Sequence, residues 1–275
     1  MDALLILFLK GNKVSSLWLH LNYILKITMN ISLPDLIKVL LTINFLRYLL
    51  TALPVFLIFY VWKKKAWDRK KIQLKFPQFK DYQREIGYSM ITLGIFSIVG
   101  VLVIASPLHQ FNLVYDEVAL YGWGYWGLSI VLMIILHDTY FYWMHRLMHQ
   151  PKLFKYFHLV HHKPTNPSPW AAYAFHPLEA VIEASIIFLI VFIIPHHRTA
   201  LLTFLTFMII YNVYGHLGYE LYPKRFNKHF IGRWVNTSVN HNLHHKHFEG
   251  NYGLYFLIWD RLLGTVRQDY DESYD

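Results

Sequence analysis

Three short histidine-rich motifs are the residues best suited to chemistry in this sequence. HRLMH and HLVHH lie close together, and HNLHH follows much later; their histidines are His145, His149, His158, His161, His162, His241, His244 and His245. The chain has no cysteine, so a metal site must use imidazole, carboxylate, amide or water ligands. Neutral imidazole binds several transition metals, and the motifs therefore predict a non-haem metal centre.

The spacing within the motifs suits helices. Residues four apart share a helix face, so His145 and His149 can hold one metal ion together. His158 can share a face with either His161 or His162. Because two adjacent histidines cannot point in the same direction, the second motif indicates either two metal ions or one ion with a supporting imidazole.

Other polar residues near the motifs are candidates for the same site. His216 is a further candidate ligand, at the end of an apolar stretch. His137 and His176 are candidates for a ligand, for a partner of a ligand or for a substrate contact. Asp138 could orient a ligating imidazole through its second nitrogen. Asn212 could accept a hydrogen bond from metal-bound water or simply pack.

The elements that must position these residues are membrane helices. Hydrophobic residues make up 55% of the chain and charged residues only 16%, which is not typical of a soluble domain. We expect an all-α integral membrane protein with about four to five transmembrane helices in hairpins and a cytosolic helical cap that holds a histidine-rich di-metal site. The expected spans are residues 36–62, 88–105, 126–143, 181–194 and 200–214.

The net charge of +9 is concentrated beside the first span, between Lys63 and Arg84. Basic loops next to apolar spans mark the cytoplasmic side of a membrane, and we favour this interpretation over nucleic-acid binding. The alternation of spans then brings all three motifs to the cytoplasmic face. The sequence leaves open whether the membrane is a bacterial inner membrane or the endoplasmic reticulum.

The chain divides into four parts by composition. Residues 1–30 form a poorly defined segment, in which we expect nothing functional before Met29, a possible start. Residues 31–125 hold the first spans and the basic loop. Residues 126–266 hold the histidine motifs, and residues 267–275 form a tail.

Two other classes of protein would also carry histidine in a membrane. A metal transporter would place its ligands near the bilayer midplane, whereas these motifs follow the spans. A membrane metalloprotease of the common type would carry H-E-x-x-H, which is absent. A metal transporter and a catalytically inactive relative remain the alternatives to an enzyme.

The motifs, with AFHPLEA between them and NYGLYFLIWDRLLGT after them, resemble the fatty acid hydroxylase superfamily, and especially its sterol C-5 desaturase-like branch. The resemblance covers residues 126–266. It implies a mushroom-like shape, with a four-helix membrane stem and a cytosolic cap that holds two iron ions. It also implies that the ligands are the eight motif histidines and His216; Asn212 stands where some relatives have histidine.

The implied activity is oxidation of a lipid by O2. Two irons and external electrons would desaturate or hydroxylate a C–H bond of a sterol-like or fatty-acyl lipid, and carotenoid hydroxylation and ether-lipid cleavage share such a site. We expect the lipid to enter between the spans, beside Phe141, Tyr142, Trp143 and Trp170. The chain has no flavin, haem or ferredoxin motif, so we expect a cytochrome b5-like or ferredoxin/reductase donor.

Overall fold

The structure is a computed structural model that describes residues 31–62 and 64–274. The expectations for residues 1–30 lie outside the described residues. The α-helices in the described part are α1 (Leu33–Phe56), α2 (Phe79–Ala105), α3 (Gly122–Met148), α4 (Pro151–Phe157), α5 (Leu159–His162), α6 (Pro177–Ile193), α7 (Arg198–Gly215), α8 (Ser238–His247), α9 (Ile258–Leu262) and α10 (Tyr270–Tyr274). Two short strands, β1 (Val114–Tyr115) and β2 (His196–His197), pair in parallel.

Three long helices carry most of the apolar sequence. Helices α1, α2 and α3 are each long and apolar enough to cross a membrane. Large aliphatic side chains such as Leu50, Ile98 and Ile135 point outward and are more than half exposed. In a soluble protein such a surface would be unfavourable, whereas lipid tails cover it without cost. The chain is therefore a membrane protein.

Helix α1 changes geometry near its end. Pro54 lies inside the helix and has no backbone N–H for the regular pattern. The helix continues as a π-helical turn over Leu57–Trp62. The predicted first span, residues 36–62, is continuous despite the proline.

Helix α2 begins at Phe79, inside the segment that we expected to be a basic loop as far as Arg84. The side chain of Asp81 accepts a hydrogen bond from the backbone N–H of Gln78, 2.9 Å away, and this contact supports the first turn. The predicted start of the span at Tyr88 was therefore wrong. Charge alone could not mark this boundary, because the first turns of the helix are themselves polar.

Helices α6 and α7 form a shorter hairpin of 17 and 18 residues. Its turn is held at β2, where Val114 of β1 is paired with His196. Ile190 of α6 and Phe204 of α7 are buried against Met133 of α3. The hairpin therefore packs on α3, and its two free ends return to the region of the histidine motifs.

The C-terminal part packs on α8. Val239 and Leu243 of α8 share a buried cluster with Leu257, Tyr270 and Tyr274. The last two residues belong to α10, in the segment that we expected to be a tail. Their burial gives that segment a packing role, which its polar sequence did not indicate.

Candidate metal centre

Nine imidazoles meet at the ends of the long helices in two groups. The five-histidine group is His145, His149, His158, His162 and His244, and the four-histidine group is His161, His216, His241 and His245. Within each group, one candidate ligand atom of every residue lies within 4.8 Å of those of the others. The groups are adjacent, because the rings of His162 and His245 are stacked with centroids 4.6 Å apart.

Histidines that are adjacent in the sequence belong to different groups. His161 and His162 are neighbours on α5 and lie in different groups, and so do His244 and His245 on α8. Successive helical residues point about 100° apart, so a single turn can serve both groups. The helix is interrupted at His158, which lies between α4 and α5. We had expected one continuous helix there.

The five-histidine group contains two nitrogen lone pairs that face each other. His145 Nδ1 lies 2.9 Å from the carbonyl oxygen of Tyr252, which can only accept, so Nδ1–H is the donor. His158 Nδ1 lies 2.6 Å from Glu179 Oε1 and donates to that oxygen when the carboxyl group is ionised. Both Nε2 atoms are then unprotonated, yet they are 2.9 Å apart. A cation bound by both atoms removes this repulsion.

The four-histidine group converges in the same manner. His216 Nδ1 donates to the backbone oxygen of Asn212, 2.8 Å away, which leaves His216 Nε2 as an acceptor. His216 Nε2 lies 3.2 Å from His161 Nε2 and 3.1 Å from His241 Nε2. Three ring nitrogens thus point at a common space, as the ligands of a transition metal do.

Buried ring nitrogens without partners support the same conclusion. Among the described residues of the two groups they are His149 Nε2, His161 Nδ1, both ring nitrogens of His162, His244 Nε2 and both ring nitrogens of His245. Buried polar atoms are normally paired, and unpaired ones in a native structure often await an ion or water. Burial, and then the neighbouring imidazoles, hold the pKa of His162 and His245 well below 6.5, so both imidazoles are neutral, as metal binding requires. The residues therefore fit metal ions.

Backbone oxygens of the loop that follows α8 accept hydrogen bonds from two of the imidazoles. His244 Nδ1 donates to the backbone oxygen of Gly250, 2.7 Å away, just as His145 uses Tyr252. Buried Asp260 holds this loop, because its two carboxylate oxygens accept from the N–H groups of Tyr252 and Gly253 at 2.9 and 2.7 Å. The loop is thus fixed by a carboxylate that touches no histidine of either group.

A cavity of about 360 Å³ lies between the long helices, and two of its lining residues each pack on a histidine of one group. Phe175 lines it and packs on His161, with ring centroids 5.1 Å apart. Phe141 also lines it and packs on His145 at 4.9 Å. Val114 and Arg198 line its opposite end, beside the turn between α6 and α7. The cavity is predominantly apolar and suits a lipid.

Comparison with known proteins identifies the family. A family model described as fatty acid hydroxylase matches residues 130–265. The chain belongs to the fatty acid hydroxylase superfamily. The resemblance seen in the histidine motifs is thereby confirmed.

Relatives place the chain on the sterol C-5 desaturase branch of this superfamily. Delta(7)-sterol 5(6)-desaturase of Gibberella zeae is 30% identical over 193 residues, which are 70% of this chain and 58% of that protein. Lathosterol oxidase of Homo sapiens is 29% identical over 198 residues, which are 70% of this chain and 64% of that protein. The chain thus spans about three fifths of the length of these curated relatives. None of the solved structures matches the chain.

The other candidate residues lie around the nine imidazoles. His137 is outside both groups; its Nδ1 lies 2.8 Å from the hydroxyl of Tyr255, and its ring lines the cavity. Asn212 lines the cavity and donates to the backbone oxygen of Ala172, 2.8 Å away. His176 caps the start of α6 by accepting from the backbone N–H of Leu178.

Asp138 has different partners from those that we expected. Its Oδ1 accepts from the backbone N–H groups of Tyr255 and Phe256 at 2.8 and 3.2 Å, rather than from an imidazole. Asp138 therefore connects α3 to the loop that carries Tyr252. Asp138 thus contacts the backbone of this loop and not an imidazole.

The four aromatic residues that we expected beside the entering lipid lie in different places. Phe141 lines the cavity, whereas Tyr142 is buried against Trp259 and Trp143 is 43% exposed. Trp170 packs in a separate cluster. Three consecutive helical residues cannot face one cavity, because each is rotated by about 100° from the last.

The motif analysis missed Glu179 and Asp260. Glu179 lies at the start of α6, two residues before the predicted span 181–194, and an ionisable residue at the edge of a membrane span is itself a functional signal. Asp260 lies in the segment WDRLLGT, which carried the family resemblance without a stated role. Glu179 contacts the imidazole of His158 directly, whereas Asp260 holds the loop whose backbone oxygens orient His145 and His244.

Proposed function

We propose that this chain is a membrane-bound non-haem di-iron oxidoreductase that uses O2 and external electrons to desaturate or hydroxylate a lipid C–H bond. The observation that carries the proposal is that two imidazole groups pack against residues that line an apolar cavity. A C–H bond of a lipid in the cavity would lie beside Phe141 and Phe175, each of which packs on a histidine of one group.

The donor atoms favour iron over the harder and softer metals. Imidazole suits iron, copper, nickel and zinc, while carboxylate and water suit magnesium and calcium, and thiolate suits copper(I). Of these metals, iron and copper both support O2-dependent oxidation in a site rich in histidine, and the fatty acid hydroxylase family is known for its use of iron. When bound, two iron ions would supply the redox chemistry by which O2 oxidises an unactivated C–H bond.

The chain's own residues prepare this site in three ways. Glu179 and the backbone oxygens of Tyr252, Gly250 and Asn212 accept the Nδ1 protons and so direct the Nε2 atoms inward. Burial keeps the motif imidazoles neutral, which metal binding requires. Phe141 and Phe175 exclude bulk water from the side on which the lipid approaches.

The substrate that we propose is a sterol-like lipid. The relatives are named as a Delta(7)-sterol 5(6)-desaturase and as lathosterol oxidase. The cavity lies among helices whose outer surface is covered by lipid, so a substrate can reach it from the bilayer. A fatty-acyl lipid is the alternative within the same chemistry.

Electrons would come from a separate protein. We propose a cytochrome b5-like or ferredoxin/reductase donor that docks on the cytoplasmic face, where the segment around α8 lies outside the long helices. In this proposed topology there are four to five membrane spans, formed by α1, α2, α3 and the α6–α7 hairpin. The cytosolic cap holds the irons.

Metal analysis of the purified protein tests the proposal. We expect about two irons per chain in the wild type, and a clear loss in His161→Ala and His245→Ala, which remove one ligand each. His229→Ala is the matched control, because His229 is exposed and lies in neither group. A wild-type protein that holds no transition metal after anaerobic iron loading would contradict the di-iron mechanism.

A further inference from the structure

One carboxyl group faces the apolar cavity without a partner. Glu183 lines the cavity, is only 8% exposed, and its Oε1 has no hydrogen-bond partner among the described residues. It lies in the middle of α6, between apolar residues. A buried polar atom without a partner costs free energy, so its retention inside a membrane helix indicates a ligand.

Glu183 lies at the end of the cavity near the metal groups. It is one helical turn after Glu179, so the two share a face and are about 6 Å apart along the axis. Glu179 contacts His158 of the five-histidine group. Tyr140 of α3 donates to the backbone oxygen of Ile182, 2.8 Å away, and this bond fixes α6 against α3 beside Glu183.

We propose that Glu183 binds the hydroxyl group of a lipid alcohol. The hydroxyl end then lies toward the imidazole groups, and the apolar remainder extends toward Val114 and Arg198 at the opposite end. A hydroxyl both donates and accepts, so it can satisfy a carboxyl group in either protonation state. The inference rests on the proposed lipid-oxidising function and specifies its substrate class and orientation.

A fatty acid fits the same cavity less well. Arg47 also lines it and is the obvious partner for a carboxylate. Its Nη1 donates to Asn44 Oδ1 at 3.1 Å and its Nη2 donates to the backbone oxygen of Leu205, whereas its Nε has no partner among the described residues. A carboxylate ligand would also face the carboxyl group of Glu183. At Glu183, the polar environment therefore favours an alcohol over an acid.

The orientation has a consequence for the reaction. With the hydroxyl at Glu183, the carbons nearest to the hydroxyl lie closest to His158 and to Phe141. Oxidation should then occur within a few bonds of the hydroxyl-bearing carbon and not at the far end of the tail.

Binding of paired probes to the full-length protein in nanodiscs tests the inference. The probes are lathosterol, its methyl ether and palmitic acid. We expect the wild type to bind lathosterol at least about tenfold more tightly than the ether, which cannot donate a hydrogen bond. Glu183→Leu should bind the two sterols about equally, and Glu183→Gln should retain the preference because its amide oxygen still accepts. Leu189→Ile, on the same helix but outside the cavity lining, is the control and should behave as the wild type.

Several outcomes would overturn the inference. They are equal binding of lathosterol and its ether by the wild type, an unchanged preference in Glu183→Leu, tighter binding of palmitic acid than of lathosterol, or no binding of any probe. Iron content and lipid oxidation, measured on the same preparations, separate the two proposals. Iron and oxidation without a hydroxyl preference would contradict the role of Glu183 alone. A hydroxyl preference without iron or oxidation would contradict the enzyme function alone.

Discussion

Glu179 Oε1 lies 2.6 Å from His158 Nδ1, and the two side chains are only 1% and 2% exposed. The carboxylate comes from α6, whereas the imidazole comes from the break between α4 and α5. By accepting the Nδ1 proton, Glu179 directs His158 Nε2 toward His145 and the rest of the five-histidine group. A buried carboxylate behind a ligating imidazole fixes the tautomer and the orientation of the ring and raises its basicity.

Replacing Glu179 with glutamine should weaken metal binding. The Glu179→Gln side chain keeps its size but loses the charge that holds the Nδ1 proton, so we expect about a 10- to 100-fold loss of metal affinity. Metal titration of the apoprotein measures this loss. Glu249→Gln is the matched control, because Glu249 is exposed. Equal affinities in Glu179→Gln and the wild type would show that the 2.6 Å contact does not support the site.

Removing the carboxylate of Asp138 should loosen the loop that carries Tyr252. In Asp138→Ala, the backbone N–H groups of Tyr255 and Phe256 lose their acceptor inside the protein. Each unpaired buried group costs about 1–3 kcal/mol, so we expect a clear fall in thermal stability. Asp138→Asn retains an acceptor oxygen and should lose much less. The idea fails if the alanine and asparagine variants melt at the same temperature.

The sequence was sufficient to predict that adjacent histidines point in different directions. Helix periodicity is local, and it correctly indicated that neighbours such as His161 and His162 point apart. Which histidine joins which group was not accessible, because that depends on how α5 packs against α7 and α8. The break at His158 was missed for the same reason: its imidazole is held by Glu179, a residue of a different helix.

The cavity was the part of the site least accessible from the sequence. Aromatic residues such as Tyr142 and Trp143 looked suitable for a lipid, but only tertiary packing decides which face of α3 is turned inward. Glu183 could have been noticed as an acidic residue in an apolar span. Its lack of a partner is visible only when α1, α3, α6 and α7 are assembled.

A methyl group at Gly253 should disturb the metal centre without touching a histidine. A Cβ atom there would lie 2.2 Å from the backbone oxygen of Phe256, which cannot move away easily. We expect Gly253→Ala to shift the loop held by Asp260 and to lower the metal content, because the Tyr252 oxygen would no longer meet His145. Gly124→Ala, with no atom near its added Cβ, is the control. Full metal content in Gly253→Ala would contradict this role of the loop.

The stability of the metal-free protein should fall as the pH decreases from about 7 to 5. Burial lowers the pKa of His161, His162 and His241 well below 6.5 in the folded state. In the unfolded state the same histidines bind protons as soon as the pH falls below about 6.5, so the unfolded chain then holds more protons, and stability is lost toward acid pH. Thermal unfolding of the apoprotein across this range measures the effect. His162→Gln cannot be protonated and should show a shallower dependence, whereas His229→Ala, which removes an exposed imidazole, should keep the wild-type slope. A slope that is the same in His162→Gln and the wild type would show that the buried imidazoles do not control the acid sensitivity.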